Sequence, residues 1–395
     1  MGNEAALLNR RARSVGSSAI RDLLDHATRP GMISLAGGIP DPTHFPTRQL
    51  AGLAAEVIER EGSACLQYGL TNGEMDLRES IAAHHGAVEA TQVVVTTGSQ
   101  QGLDLIARVL VEPGDVIVCG DPDYLGALQA FRSSGAQVVA VPIDSDGIRV
   151  DALEGVIAGG VAPKAVYIVP HFHNPTGASL SMLRRAALAQ LAGRRGFLVI
   201  EDDPYRDLHF DVTPLPLGEP PPNVVHLGSV SKTLAPGLRV GWMVGPDWLL
   251  GAVQIAKQSA DLHTSTLSQA LARRAMVAAW YEEHVADLRR HYRRKRDAFV
   301  EALDSHFGDA IDFEIPSGGM FVWGRLRSGL DTQALLPGAL DQGVAYVPGA
   351  AFAVEADLSS HVRLAFATVD VGEITEAVLR LRRSLLPSAN VVAAR

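Results

Sequence analysis

At 395 residues, the chain exceeds the size at which a single hydrophobic core stops growing, so two domains are expected. Hydrophobic residues make up 47% and charged residues 20%, the composition of an ordinary soluble globular protein. A formal net charge of -9 argues against a nucleic-acid partner, because phosphate backbones select basic surfaces. No apolar run reaches the roughly 18–20 residues of a membrane helix, which predicts no membrane partner.

The two cysteines, Cys65 and Cys119, indicate a reducing compartment rather than a disulfide framework. The first residues lack the apolar segment of a secretory signal, so a cytoplasmic location is predicted. The histidines form no ligand-spaced cluster with these cysteines, and we therefore expect no metal site.

Short apolar segments alternate with longer amphipathic segments between residues 93 and 244. The segments rich in Val and Ile predict strands covered on both faces, at 93–96, 116–119, 138–141, 165–169, 197–200, 224–227 and 240–244. Apolar residues three and four apart predict helices over 101–110, 125–134 and 181–194. This alternation is typical of an α/β fold with a mostly parallel, seven-stranded sheet flanked by helices.

The pattern changes after residue 280. Residues 282–306 predict one long amphipathic helix, and short strands follow at 319–323, 344–347 and 362–365 before a last helix near 373–385. We expect a large domain over residues 45–280 and a smaller α+β domain over 281–395. In parallel sheets, ligands bind beyond the carboxyl ends of the strands, where the motifs described next are located.

Lys232 is one of four lysines among 35 basic residues, and it follows a predicted strand. Ser229 and Ser231 directly precede it, and Arg239 follows seven residues later. A pyridoxal-5′-phosphate (PLP) enzyme needs a lysine amine to form an imine, with hydroxyls and an arginine to hold the phosphate. The alternative is a solvent-facing lysine beside an unrelated surface arginine.

Residues 229–241 resemble the S-x-S-K-x-x-x-P-G-x-R-x-G signature of fold-type-I PLP aminotransferases of class I/II. All fixed positions match, including Pro236, Gly237 and Gly241. The resemblance extends over about residues 15–385. It implies PLP bound to Lys232, and a ping-pong transfer of an amino group between an L-amino acid and a 2-oxo acid.

Three carboxylates, Glu201, Asp202 and Asp203, end another predicted strand, with Tyr205 close behind them. A carboxylate paired with the pyridine nitrogen keeps that nitrogen protonated, which the chemistry of PLP requires. The family's D-x-x-Y pair falls on Asp202, facing the ring nitrogen, and on Tyr205, facing the phenolic oxygen. Helix capping is the alternative for Glu201 and Asp203.

The tetrapeptide 174–177, N-P-T-G, is by itself a strong turn signal. In the resembled family its asparagine donates to the phenolic oxygen of PLP, which implies that role for Asn174. His171 and His173 precede it, and a structural role is favoured over titration during catalysis.

The segment around Gly98 predicts a strand that runs into a helix, whose amino end favours an anion. A simple helix cap at Ser99 is the alternative. The resemblance places the phosphate of PLP here, held by Ser99, Gln100, Ser229, Ser231 and Arg239.

Two tyrosines match further family positions. Tyr124 corresponds to the aromatic residue that stacks on the pyridine ring. Tyr68 corresponds to a tyrosine that crosses a dimer interface to the neighbour's phosphate, which implies a homodimer with shared active sites.

Arg363 matches the arginine that binds the substrate α-carboxylate, a task suited to its bidentate guanidinium. Residues 18–46 resemble the subgroup that contains 2-aminoadipate and kynurenine aminotransferases, in which residues 1–44 would form an N-terminal helix and substrate loop joining the small domain. Ser18 and Arg21 match positions that can recognise a substrate side chain, and Gly38 lies in the loop. Arg21 would suit an acidic side chain, or it could be a solvated helix residue.

Three alternatives remain open from the sequence. Another PLP reaction, such as elimination, would leave nearly the same motifs. A non-enzymatic effector domain of a transcription regulator is disfavoured by the acidic charge. A nicotinamide-dependent enzyme is disfavoured because no G-x-G-x-x-G follows a strand.

Overall fold

The computed structural model describes residues 29–86, 88–214 and 217–386. Ser18 and Arg21, two predicted substrate-binding residues, lie outside this part of the chain. Elements are numbered in chain order.

An eight-stranded sheet, in the order β2-β9-β8-β7-β6-β3-β4-β5, forms the centre of the fold. Strands β3, β4, β6, β7 and β8 pair in parallel, whereas β2, β9 and β5 join antiparallel to their neighbours. The bounds are β2 Val93–Thr96, β3 Val116–Asp121, β4 Gln137–Asp144, β5 Gly147–Ile148, β6 Pro163–Ile168, β7 Leu198–Asp202, β8 Val224–Ser229 and β9 Gly241–Val244.

The prediction of a mostly parallel α/β sheet is confirmed, and all seven predicted strands are present. The eighth strand, β5, has two residues, too few for a recognisable apolar pattern. In β7, Leu198 and Ile200 pack into the core on one face and Val199 into the core on the other, as alternating side chains must. Strand β4 differs from the expectation, because most of its residues are only partly buried or exposed near the edge of the sheet.

Eleven α-helices lie among the described residues. Helix α6 illustrates how they are delimited, because Ser181 caps its start by accepting from Arg184 N, and Gly196 ends it with a φ of 76°. The bounds are α1 Thr47–Glu61, α2 Met75–His85, α3 Ser99–Leu110, α4 Leu125–Ser134, α5 Val150–Ala158, α6 Met182–Arg195, α7 Asp247–Ala260, α8 Thr266–Met276, α9 Tyr281–Phe307, α10 Thr332–Asp341 and α11 Val371–Leu385.

The C-terminal part contains a second, antiparallel sheet in the order β10-β11-β14-β13. Its strands are β10 Ile311–Phe313, β11 Phe321–Leu326, β13 Val347–Pro348 and β14 His361–Ala365. A short strand near the described amino end, β1 (Ile33–Ser34), pairs in parallel with β12 (Val344–Ala345). Residues that precede the large sheet in sequence therefore pack with residues that follow it.

The segment after β1 is fastened to the long helix α9 at Asp41. Lys295 Nζ and His291 Nε2 both bond the Asp41 carboxylate, and the backbone N–H of Asp41 donates to the Tyr292 hydroxyl at 2.9 Å. Burial alone would raise the pKa of Asp41, but hydrogen bonds from Lys295 and Thr43 help to hold it well below the usual range. This buried ion pair anchors the segment that leads into Gly38.

We expect Lys295→Met to lower the free energy of unfolding by about 3–5 kcal/mol, because the Asp41 carboxylate stays buried after losing its cation. Lys164→Met is the matched control, since Lys164 is half exposed and lies 3.6 Å from Asp115. Lys164→Met should lower the free energy of unfolding by less than about 1 kcal/mol. Urea unfolding measures both, and equal losses would contradict the anchoring role.

Candidate active site

A cavity of about 510 Å³ opens at the carboxyl end of the large sheet. Twelve of the fifteen predicted site residues line it, most of them at or shortly after the end of a strand of the large sheet, whereas Arg363 comes from strand β14 of the second sheet. They are Gly38, Ser99, Gln100, Tyr124, Asn174, Asp202, Tyr205, Ser229, Ser231, Lys232, Arg239 and Arg363.

Parallel strand direction explains this convergence. Asp202 is the last residue of β7, Asn174 follows β6, and Tyr124 follows β3 at the cap of helix α4. Lys232 comes three residues after β8 ends. Because these four strands run the same way, residues far apart in sequence meet at one edge of the sheet.

One end of the cavity is suited to a phosphate. Helix α3 begins there at Ser99 with its unpaired backbone amides, and the Ser229 and Ser231 hydroxyls lie 2.7 Å apart. Arg239 closes the group and donates to Thr97 O at 3.1 Å. A Cβ atom at Gly98 would lie 2.5 Å from Arg239 Nη2, so glycine is required for this close approach.

Asp202 lies deep in the cavity, only 2% exposed. The Tyr167 hydroxyl donates to its Oδ2 at 3.1 Å, whereas Oδ1 is buried without a hydrogen-bond partner among the described residues. Burial and then the nearby charge of Asp203 raise the pKa of Asp202 to about 7, although the bond from Tyr167 opposes this. A buried acceptor of this kind fits the protonated ring nitrogen of PLP.

Lys232 Nζ donates to the backbone oxygen of Gly38 at 2.9 Å and lies 5.7 Å from the centre of the Tyr205 ring. Burial, together with the charges of Arg363 and Arg239, lowers the pKa of this amine to about 8. A sizeable neutral fraction is therefore present near neutral pH, as a nucleophilic amine requires.

Arg363 is buried between two aromatic rings, 4.5 Å from the centre of Phe321 and 4.9 Å from that of Phe352. It donates from Nη1 to Asn174 Oδ1 at 2.9 Å and from Nη2 to Ala36 O, and within the described part of the chain its Nε has no partner. Burial lowers its pKa to about 10, so it remains a cation at neutral pH. The cavity is thus lined by a fixed cation in addition to Lys232.

Tyr68 does not line this cavity. Its side chain is 77% exposed and packs edge-on against His263, with the ring centres 5.8 Å apart. It was predicted to act on a neighbouring chain, and that prediction stays open.

Two residues with direct roles in the site were missed from the sequence. Tyr167, which supports Asp202, was hidden within an apolar strand pattern. Asp123 accepts from Gly120 N at 2.8 Å and from Tyr124 N at 2.7 Å, which shapes the turn before α4. A polar side chain inside an otherwise apolar strand, and an acid directly before Tyr124, were the available signals.

The helix-capping alternative for Glu201 and Asp203 is wrong, because both are buried at the end of β7 and no helix begins there. Glu201 forms a two-point ion pair with Arg185, at 2.8 and 2.6 Å. Asp203 accepts from His171 at 2.8 Å. The structural role favoured for His171 and His173 agrees with their hydrogen bonds to aspartates.

One further group of potential ligands occurs among the described residues. Atoms of Asp41, His44 and His291 lie within 4.8 Å of one another. The Lys295 ammonium already bonds Asp41 there, so we assign no metal to it. The expectation of no metal site stays a prediction.

The fold and the cavity define a fold-type-I PLP enzyme. A model of the family described as aminotransferase class I and II matches residues 31–381, and the chain belongs to that family. It is an aminotransferase that uses PLP to move an amino group between an amino acid and a 2-oxo acid.

Relatives match over nearly their whole length. The 2-aminoadipate transaminase of Thermus thermophilus is 40% identical over 381 residues, covering 95% of each chain. Aromatic-amino-acid aminotransferase 1 of Thermococcus litoralis is 38% identical over 387 residues, covering 95% of this chain and 93% of the relative. The crystal structure of Pyrococcus horikoshii kynurenine aminotransferase superimposes with a TM-score of 0.92 at 37% identity, covering 97% of this chain and 98% of that one.

We expect Asp202→Asn to stabilise the cofactor-free protein. Folding raises the pKa of this carboxyl to about 7, so the unfolded chain ionises at a lower pH than the folded protein does. The free energy of unfolding therefore falls as the pH rises from about 4 to 7. The free energy of unfolding of the variant should therefore exceed that of the wild type by roughly 2–4 kcal/mol at pH 8, and the two should be equal below pH 4. Urea unfolding across this pH range measures the difference, and a variant less stable at pH 8 would contradict it.

Proposed function

We propose that this chain transaminates L-amino acids through a neutral Lys232 amine and a charged Asp202 acceptor. The observation that carries the proposal is the unpaired, buried Oδ1 of Asp202 in the same cavity as an amine whose pKa is lowered to about 8. Bound PLP supplies the carbonyl carbon that takes up amino groups and a ring that withdraws electrons.

Lys232 performs two tasks in this proposal. As a neutral amine, Nζ would hold the cofactor by a covalent bond to its carbonyl carbon, with the carbonyl oxygen leaving as water. When the amine is free, Nζ would act as the base that takes the proton from the substrate Cα and as the acid that returns it on the cofactor side. The low pKa of the amine serves both tasks, because each begins from the uncharged form.

The ring of PLP would be held on three sides. Asp202 Oδ1 would accept from its protonated nitrogen, while Tyr205 and Asn174 would donate to its phenolic oxygen. Tyr124 would stack on the ring, and burial raises the pKa of that phenol to about 12, so it stays uncharged. The phosphate would bind the cluster formed by Ser99, Gln100, Ser229, Ser231 and Arg239.

Arg363 would bind the substrate α-carboxylate. Its guanidinium is fixed by two aromatic rings and by Asn174, so little side-chain conformational entropy would be lost when a carboxylate binds. Gly38 leaves room beside it, because a Cβ atom there would lie 3.1 Å from Phe321 Cζ and 3.8 Å from Arg363 Nη1. This segment, anchored at Asp41, would close the substrate end of the cavity.

The side chain accepted by the site is proposed from the relatives. Their names refer to aromatic amino acids, 2-aminoadipate and kynurenine. We therefore propose a role in amino acid metabolism, within biosynthesis, with Ser18 and Arg21 contacting the substrate side chain and Arg21 favouring acidic ones.

We further propose a homodimer in which Tyr68 completes the phosphate site of the partner chain. Tyr68 lies outside its own cavity, and Leu66 and Leu70 beside it are also more than half exposed. Such an apolar group on a surface is typical of an interface. The proposed division is residues 1–44 joining the small domain, 45–280 as the large domain and 281–395 as the small domain.

No helix within the described ranges combines the length and the apolar character of a membrane span. Cys65 and Cys119 are both free and buried. The absence of a bond between them supports the proposed cytoplasmic location.

Lys232→Ala should abolish turnover, with a loss of at least about 10³-fold in kcat. Borohydride should fix PLP to the wild-type chain and not to the variant, and mass spectrometry of peptides locates the attachment. Lys257→Met is the control, because Lys257 on helix α7 is also buried but bonds Asp261 at the end of that helix, outside the cavity. Attachment to another lysine in the wild type would overturn the assignment.

A donor screen tests the substrate proposal. Each amino acid is mixed with the PLP form in a single turnover, and the pyridoxamine form is followed by absorbance. Glutamate, 2-aminoadipate and aromatic donors should react, and Arg21→Ala should slow acidic donors about tenfold or more while sparing aromatic ones. If acidic donors are ignored by the wild type, the acidic-substrate role of Arg21 is wrong.

A further inference from the structure

Two histidine–aspartate pairs are formed by the segment that directly precedes Asn174. His171 Nδ1 lies 2.8 Å from Asp203 Oδ2, and His173 Nε2 lies 3.2 Å from Asp123 Oδ1. Both aspartates are nearly inaccessible, at 5% and 1% exposed. The pairs therefore join three strand ends that are separate in sequence.

Each aspartate stands next to a residue that faces the cofactor cavity. Asp203 directly follows Asp202, and its own amide is fixed to Leu227 O at 3.0 Å. Asp123 directly precedes Tyr124 and accepts from the backbone N–H of both Tyr124 and Gly120. Neither carboxylate lines the cavity, so neither can touch the cofactor.

Both carboxylates nevertheless act on Asp202 through space. The charge of Asp203, and after it that of Asp123, raises the pKa of Asp202. For Asp203, burial is outweighed by His171 and His226, which together hold its pKa well below the usual range. Asp203 therefore keeps its negative charge directly next to Asp202 in the chain.

The titratable surroundings come from every neighbouring element. Around Asp202 these are Tyr167 on β6, Asp123 and Tyr124 after β3, Lys232 after β8 and Asp203 after β7. Around Asp203 they are His171, His226 on β8, Arg185 on α6 and Asp207.

We propose that Asp203 and Asp123, each fixed by a histidine, are positioning residues that act through Asp202 to keep the PLP ring nitrogen protonated. The inference rests on the proposed contact between Asp202 and that nitrogen. A carboxylate with two further carboxylates behind it stabilises a cation at its free oxygen more strongly than it would alone, because the surrounding protein screens these charges weakly.

The direct test follows the ring nitrogen itself by NMR in holoenzyme reconstituted with isotope-labelled PLP. Asp203→Asn and Asp123→Asn each remove a charge with little change of shape. The pH at which the ring nitrogen loses its proton should fall by about one unit in each variant, a tenfold change in proton affinity. The Kd for PLP should rise about three- to tenfold at a pH above that transition.

Glu201→Gln is the matched control. Glu201 is a buried carboxylate on the same strand, and it is paired with Arg185 instead of a histidine. Its loss should lower the melting temperature without moving the ring-nitrogen titration. If the Asp203 and Asp123 variants behave like this control, with lower melting temperatures and an unchanged titration, the inference is overturned.

Asp202→Asn separates this inference from the proposed function. If the ring nitrogen is unprotonated in the wild type, or stays protonated in Asp202→Asn, the proposed contact itself fails. If Asp202→Asn removes the proton while both neighbouring variants titrate like the wild type, only the present inference fails. The two aspartates lie on different loops, so a folding defect in one variant leaves the other as a test.

Discussion

Asp202 carries a carboxyl group that ends a central strand of the large sheet with one oxygen buried and unpaired. Such a group is costly in a folded protein, and its raised pKa expresses that cost. Every residue of this strand is buried, so the carboxyl has almost no contact with solvent. The Tyr167 phenol bonds one oxygen of this carboxyl, and the other has no hydrogen-bond partner among the described residues.

The same region concentrates charge of both signs within a small volume. Lys232, Arg239 and Arg363 line the cavity together with Asp202. Burial and mutual repulsion lower the pKa of Lys232, while burial and neighbouring carboxylates raise that of Asp202. The two shifts bring an amine and a carboxyl to within about one unit of each other near neutral pH. Opposed shifts of this kind are typical of sites that exchange protons.

Much of this arrangement could be predicted from the sequence. The strands of the large sheet had the strong, continuous apolar pattern of elements buried on both faces, and helix α4 has the predicted bounds. The signature around Lys232 was specific because every fixed position matched. Strand β5 could not be predicted, because its two residues depend on pairing with β4 rather than on local pattern.

Contacts between distant side chains were the other limit. Tyr167 reads as one more apolar strand residue, and only the register of β6 against β7 brings its hydroxyl to Asp202. Likewise, nothing local indicates that His171 reaches Asp203 or that Lys295 reaches Asp41 across 254 positions. Such pairings are decided by tertiary packing, which a pattern of single residues does not record.

The contact between Lys232 and the loop is made by a main-chain atom, the carbonyl oxygen of Gly38. Any sequence that keeps the backbone path of the loop keeps this contact, so substitutions at neighbouring positions do not remove it. Ile39, which lines the cavity and is half exposed, is one such neighbour. New substrate preferences could therefore evolve through that position while the closing contact is inherited unchanged.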